Sequence, residues 1–347
     1  MKRSQALVVT GLFVLSVWMA PLAATRTASA FETPWSGMFD HVDPADPLPS
    51  WENGKIKQDI MEFVQSVSRR GEPSFTPLAD RIAAIALDGS LWCERPVDPQ
   101  LAFSMAVMAE KAAGNEDLRL LPQYHAAATG DLDFFSKLDR SAALNLFAEA
   151  FSNMIQADYM KRAQAFFEQS AHPRFLIPYY RTVYLPMLEL VAYLRHNGFE
   201  VYVVADGTVD FVRLFSAPSF GVSPKNLIGS AVSTRYEVTP DDIQFIRSSQ
   251  YVPPVNINDG KPCNFLRYSG LRPILAVGSS DVDLQLLQYT DRQEQPSLAI
   301  VIRHDDEKRE YSYSNGVKNL LAEALKEGWL VVSMRSDWRS VFHETPK

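Results

Sequence analysis

The stretch that decides the fold is Arg81-Ile82-Ala83-Ala84-Ile85-Ala86, followed directly by Leu87-Asp88-Gly89-Ser90-Leu91-Trp92. A short, unbroken apolar run reads as a strand buried on both faces, because a half-exposed strand alternates apolar with polar residues. Further runs share this character: 200–204 (EVYVV), 273–278 (PILAVG), 298–302 (LAIVI) and 329–334 (WLVVSM). Each is tied to a helical segment. One starts near Pro186 and stops at Gly198, a proline-start, glycine-stop pair. Another holds Leu284, Leu286 and Leu287, and a third, amphipathic, holds Val317, Leu320, Leu321 and Leu325. Strands alternating with helices imply a parallel sheet, so the expected fold class is α/β with a doubly wound parallel core. Ligands on such sheets sit beyond the carboxyl ends of the strands, which makes the residues after each run the ones to read for chemistry.

Between the first two runs, 94–183 shows no strand pattern. Leu101, Met105 and Met108, then Leu144, Phe147, Phe151 and Met154, recur at helical spacing. This segment is expected to be an inserted α-helical cap over the strand ends, its Met and Phe stripes serving as core. The α/β core is then 81–93 plus 184–347. Ahead of it, 31–80 forms an N-terminal arm and helix. The arm, 31–54, is rich in Pro and Trp (Pro34, Trp35, Pro44, Pro47, Pro49, Trp51), and the helix, 55–69, aligns Ile56, Ile60, Phe63, Val64 and Val67. Residues 230–258 read as a hairpin or flap.

The first thirty residues have the order of an export leader: Lys2-Arg3, an apolar run 6–20, and Ala28-Ser29-Ala30, with cleavage expected before Phe31. The run is shorter than the ~20 residues that span a bilayer, so no membrane span is expected after cleavage. A periplasmic or secreted protein is the expectation. The chain carries −7, and 1–30 holds Lys2, Arg3 and Arg26 with no acid, leaving −10 on the body. Such a body repels phosphates, which argues against nucleic acid and leaves a small molecule or a protein as partner. A composition 46% hydrophobic and 22% charged excludes wholesale disorder. Cys93 and Cys263 are too few for a Cys-rich zinc site or a disulfide scaffold. In an oxidising compartment they either bridge or stay as two thiols, and the sequence supplies no distance to choose between these.

Read at the strand ends, the chain shows Ala86-Leu87-Asp88-Gly89-Ser90, Ala205-Asp206-Gly207-Thr208, Asp259-Gly260-Lys261-Pro262 and Gly278-Ser279-Ser280-Asp281-Val282-Asp283. In this order and spacing they resemble the four motifs of the haloacid dehalogenase-like phosphatase superfamily, close to its exported phosphoserine-phosphatase-like branch with a helical cap. The likeness runs from Trp51 to Phe342. It implies a Rossmann-like sheet, an aspartyl nucleophile, a second carboxylate as acid and base, a hydroxyl and a lysine on the phosphoryl oxygens, and Mg²⁺ as cofactor.

Carried onto this chain, the resemblance leaves only part of that set. Asp88 stands at the acid/base position and Lys261 at the phosphate lysine. Asp283 is the second acid of the fourth motif. The nucleophile position is Ala86, the second-motif hydroxyl position is Ala205, and the Mg²⁺-ligand position is Ser279. Two side-chain ligands of the metal are thus absent, which argues against Mg²⁺ here. Alanine has no lone pair with which to attack phosphorus; losing the nucleophile of a coupled set costs about 10⁶ in turnover, or about 8 kcal/mol of barrier.

Ala205, Asp206 and Thr208 are expected to line the ligand site. Asp206 replaces a glycine of the relatives and reads in two ways. It either repels oxyanions, turning the cleft toward a neutral or cationic ligand or a metal held by Asp88, Asp206 and Asp283, or it caps the next helix and points to solvent. Asp281 and Asp283 open a helix, where acids are favourable in any protein. His304-Asp305-Asp306 reads as a surface turn ahead of a site. The expected function is a phosphatase-like protein that has lost phosphoryl transfer and acts by ligand binding or interaction. The alternative is a weak Mg²⁺-dependent hydrolase in which Asp88 activates water and Lys261 anchors the substrate.

Overall fold

A computed structural model describes residues 33–343, so the expected leader at 1–30 lies outside the described residues. Seven strands form one sheet in the order β4-β3-β2-β1-β5-β6-β7. They are β1 Ile82–Ala86, β2 Glu200–Thr208, β3 Leu227–Val238, β4 Ile243–Val252, β5 Leu275–Gly278, β6 Leu298–Arg303 and β7 Leu330–Ser333. Every neighbouring pair is parallel except β3–β4, which closes one edge as an antiparallel hairpin. The chain fills one side of β1 as far as β4 and then returns to the other side at β5. The crevice outside the ends of β1 and β5 is therefore the switch point of the sheet.

Helices flank it. In chain order they are α1 Lys55–Ser68, α2 Pro99–Gly114, α3 Glu116–Arg119, α4 Pro122–Thr129, α5 Leu132–Ser136, α6 Arg140–Ala150, α7 Gln156–Gln169 and α8 Leu185–His196. After these come α9 Val209–Arg213, α10 Ser216–Phe220, α11 Gly260–Ser269, α12 Leu284–Asp291, α13 Lys318–Glu327 and α14 Met334–Asp337. Alternate strand residues divide between two cores, as the pleat requires. Ala83, Ile85, Val201, Val203, Leu275 and Val277 pack on the face that carries α1, α8 and the cap helices. Ile82, Ala84, Tyr202, Val204 and Ala276 pack against Phe265, Leu287 and Leu320 of α11, α12 and α13.

The segment between β1 and β2 is helical, from α2 to α8. Its aromatic stripe is core: Phe103 stacks on Phe151 at 4.6 Å and lies 5.9 Å from Phe211 of α9, while Phe167 stacks on Phe215 at 3.7 Å. The arm docks through Trp51, whose indole donates to Pro186 O at 2.9 Å and meets Trp338 edge-on at 6.0 Å. Among the described residues no helix is long and apolar enough to cross a membrane.

Residues 230–258 hold the expected hairpin, and its first strand, β3, begins ahead of it at Leu227 with a buried Leu-Ile-Gly-Ser that joins the parallel sheet before the half-exposed remainder extends into the hairpin. Strand β2 does not stop at Val204 but runs through Asp206 to Thr208. Serine and glutamine side chains carry it on: Ser230 Oγ donates to Asp206 O at 2.6 Å, and Gln100 Oε1 accepts from Thr208 N at 2.8 Å.

Candidate functional site

Ala86 is the last residue of β1 and is 1% exposed, its methyl sealed within the protein. The chain then turns tightly, with Ser90 N and Leu91 N both donating to Leu87 O at 3.2 and 2.8 Å. Gly89 sits in the turn at φ +68. The turn aims Asp88 inward, where Oδ1 accepts from Trp92 Nε1 at 3.0 Å and Oδ2 from Asp206 N at 3.4 Å. Burial pushes the Asp88 carboxyl up to about 7; Arg140 opposes that rise, and the Asp206 and Asp98 carboxylates add to it.

Lys261 stands in the first turn of α11 rather than on a free loop. Gly260 makes its approach possible, since a Cβ there would lie 1.9 Å from the carbonyl oxygen of Val255. Gly260→Ala is accordingly expected to cost about 2–3 kcal/mol, read as a lower urea midpoint, because a backbone atom cannot yield as a side chain would. Asn258 N donates to Val282 O at 3.0 Å, tying this turn to the fourth motif.

The Lys261 ammonium, 1% exposed, meets Asp206 Oδ1 at 2.5 Å and also pairs with Asp283 Oδ1. Burial alone would lower its pKa, but the two carboxylates more than reverse this and raise it. Asp283 is further held by Ser279 N at 2.9 Å and Ser280 N at 3.0 Å. Ser279 Oγ donates to Asp88 O at 3.0 Å. Asp281, by contrast, points away and accepts from Leu320 N at 2.8 Å, serving the start of α13.

The residue that sequence reading missed is Arg140, at the start of α6 in the cap. Its guanidinium spans three acids: Asp206 Oδ2 at 2.9 Å, Glu94 Oε2 at 2.9 Å and Asp98 Oδ2 at 3.1 Å. Burial works against its charge, yet the surrounding carboxylates raise its pKa well above the ordinary value. Beside it Gln100 of α2 clamps Thr208, donating Nε2 to Thr208 Oγ1 at 2.6 Å. A Cβ on Gly207 would fall 2.2 Å from Gln100 Oε1, so this cap residue lies directly on the strand end. Below Ala205, Asn256 Nδ2 donates to its carbonyl at 2.7 Å. The space left among Asp88, Trp92, Asp98, Gln100, Arg140, Phe147 and Gly207 is about 10 Å³, room for about one water.

Asp88, Ala205, Asp206, Thr208, Lys261, Ser279 and Asp283 thus do come together, but their polar groups bind one another. Asp206 is 2% exposed, so the reading in which it faces solvent as a helix cap is overturned: the strand continues through it and two cations draw it in. His304 and Asp306 are buried rather than on a surface turn. His304 Nε2 lies 2.8 Å from Gly89 O and Nδ1 3.2 Å from Glu310 Oε2, so it braces the first turn from behind. The cysteines are free thiols: Cys93 is buried and donates to Glu310 Oε1 at 3.0 Å, whereas Cys263 is exposed on α11.

These donors do not fit Mg²⁺. Ala86 offers none, the Ser279 hydroxyl donates to a carbonyl, and the Asp283 oxygens are taken by an ammonium and by amides. Among the described residues no three His, Cys, Asp or Glu side chains are grouped to hold a metal ion.

The fold is shared with a solved structure, a conserved protein of unknown function from Anaerococcus prevotii, at TM-score 0.54 and 13% identity over 84% of this chain and 96% of that one. A protein of unknown function from Bordetella pertussis matches at TM-score 0.48 and 15% identity, over 73% and 98% of the two chains. Phosphatases of the haloacid dehalogenase-like superfamily are also among the matches; a phosphoserine phosphohydrolase-like protein from Francisella tularensis aligns at TM-score 0.39 and 15% identity, over 70% and 99%. No protein-family model and no curated protein sequence matches the chain.

Proposed function

We propose that this chain is an exported, haloacid dehalogenase-like protein that has given up phosphoryl transfer and acts by interaction rather than by turnover. One observation carries the reading: the end of β1, where a nucleophile would stand, presents the buried methyl of Ala86. The closed state of the cleft supports it. Lys261 and Arg140 are neutralised by the protein's own acids, and about 10 Å³ does not admit a phosphomonoester. Export rests on the basic, apolar and small-residue order of 1–30.

The alternative, a weak hydrolase in which Asp88 activates a water, has that one-water space in its favour. It lacks a place for the substrate and donors for the metal that would meet the charge of the transferring group. The mature protein with Mg²⁺ and a chromogenic phosphomonoester is expected to show no turnover above Asp88→Asn. Turnover that vanishes in that variant overturns the reading.

A further inference from the structure

The acids around the cleft are not equivalent. Asp88 takes the Trp92 indole, Glu94 the Tyr313 hydroxyl at 2.8 Å, Asp98 the amide of Leu101 at 2.9 Å, and Asp283 the amides of Ser279 and Ser280. The two oxygens of Asp206 instead face one cation each, Oδ1 the Lys261 ammonium at 2.5 Å and Oδ2 the Arg140 guanidinium at 2.9 Å. One of these cations belongs to the core and the other to the cap. A buried carboxylate bridging an ammonium and a guanidinium makes the contacts that a bound oxyanion would make.

We propose that Asp206 is the built-in anion of the cleft: its carboxylate occupies the oxyanion position between Lys261 and Arg140 and sets the cleft against phosphate-class ligands. This rests on the reading of Lys261 as the lysine of a former phosphate site. The geometry allows a clean separation of roles. Removing the Asp206 carboxylate leaves Lys261 paired with Asp283 and Arg140 paired with Glu94 and Asp98, so both cations stay in place. Space then opens between the two cations, and one negative charge is gone from the point where an anion would sit.

Inorganic phosphate titrated calorimetrically into the wild type, Asp206→Gly and Asp206→Asn at fixed pH and ionic strength tests this. Asp206→Gly is expected to bind at least about tenfold more tightly than the wild type, because a like charge a few ångströms from the anion is gone. Asp206→Asn, which removes the charge but keeps the bulk, is expected to gain less. Adding Lys261→Met to Asp206→Gly is expected to abolish the gain. Wild-type affinity equal to that of the glycine variant, or no gain in either folded variant, overturns the proposal. Should Asp206→Gly fail to fold, as read by circular dichroism, Asp206→Asn alone decides: a gain supports the proposal and none refutes it. Phosphate affinity is read without turnover, so failure here is distinct from discovery of a phosphatase activity in the wild type.

Discussion

Lys261→Met is expected to destabilise the fold by about 3–5 kcal/mol, the range for removing one member of a buried charge cluster. Methionine matches the lysine stem in volume, so the packing loss is small and the effect is electrostatic. Both acids are left with Oδ1 stranded out of water, while on Oδ2 Asp283 keeps the amides of Ser279 and Ser280 and Asp206 keeps Arg140. The second change, Asp206→Leu, should therefore repair part of the first. The double variant is expected to be more stable than the sum of the two single losses by at least about 1 kcal/mol, a coupling of the size found for residues in one network. Urea unfolding at two salt concentrations measures this, and the coupling should survive added salt because a buried pair is little screened. A Lys261→Met protein that unfolds at the wild-type urea midpoint would show that the ammonium is not held as described.

The sheet was legible wherever a strand is buried on both faces, since β1, β5 and β6 announce themselves as unbroken apolar runs. It was illegible at β3, where only Leu227-Ile228-Gly229-Ser230 enters the core and the following residues, apolar and polar mixed, are half-buried or exposed. Period and hydrophobicity cannot mark a strand whose burial changes halfway along. The site divides the same way. Asp88, Lys261 and Asp283 lie at strand ends and helix starts that the sequence orders by itself. Arg140 comes from the cap, and Asp139-Arg140 looks like an ordinary helix start; its true signal is indirect, in that an acid such as Asp206 at a buried strand end requires a cation from somewhere. His304 was misread for a related reason. Two neighbouring aspartates suggest solvent, but their oxygens are taken by Arg309 and Ser333, which lets the histidine turn inward to Gly89 and Glu310.

Asp88→Asn is expected to make the protein more stable at pH 8 than the wild type and to bring the two together near pH 4. An exposed Asp titrates near 3.9, whereas burial holds Asp88 at about 7 in the folded chain. Between these values the folded state carries a proton that the unfolded state has lost, so stability falls as pH rises through the window. Below it both states are protonated and the penalty is absent; above it the full penalty is present, on the order of 4 kcal/mol for a rise of this size. The Asn oxygen can still accept from the Trp92 indole, so the variant loses the charge and keeps the main contact. Other groups titrate in the same range, Glu189 being also raised to about 7 by burial, and comparing variant with wild type at each pH cancels them. A stability gap that stays constant from pH 5 to pH 8 would mean that Asp88 does not ionise there. The same titration bears on function. A carboxyl that changes protonation near neutrality is suited to pass protons; under the function proposed above, with the methyl of Ala86 beside it, it has no phosphoryl group to serve. Its effect on the fold is that of a buried acid that becomes costlier to the closed cleft as the pH rises.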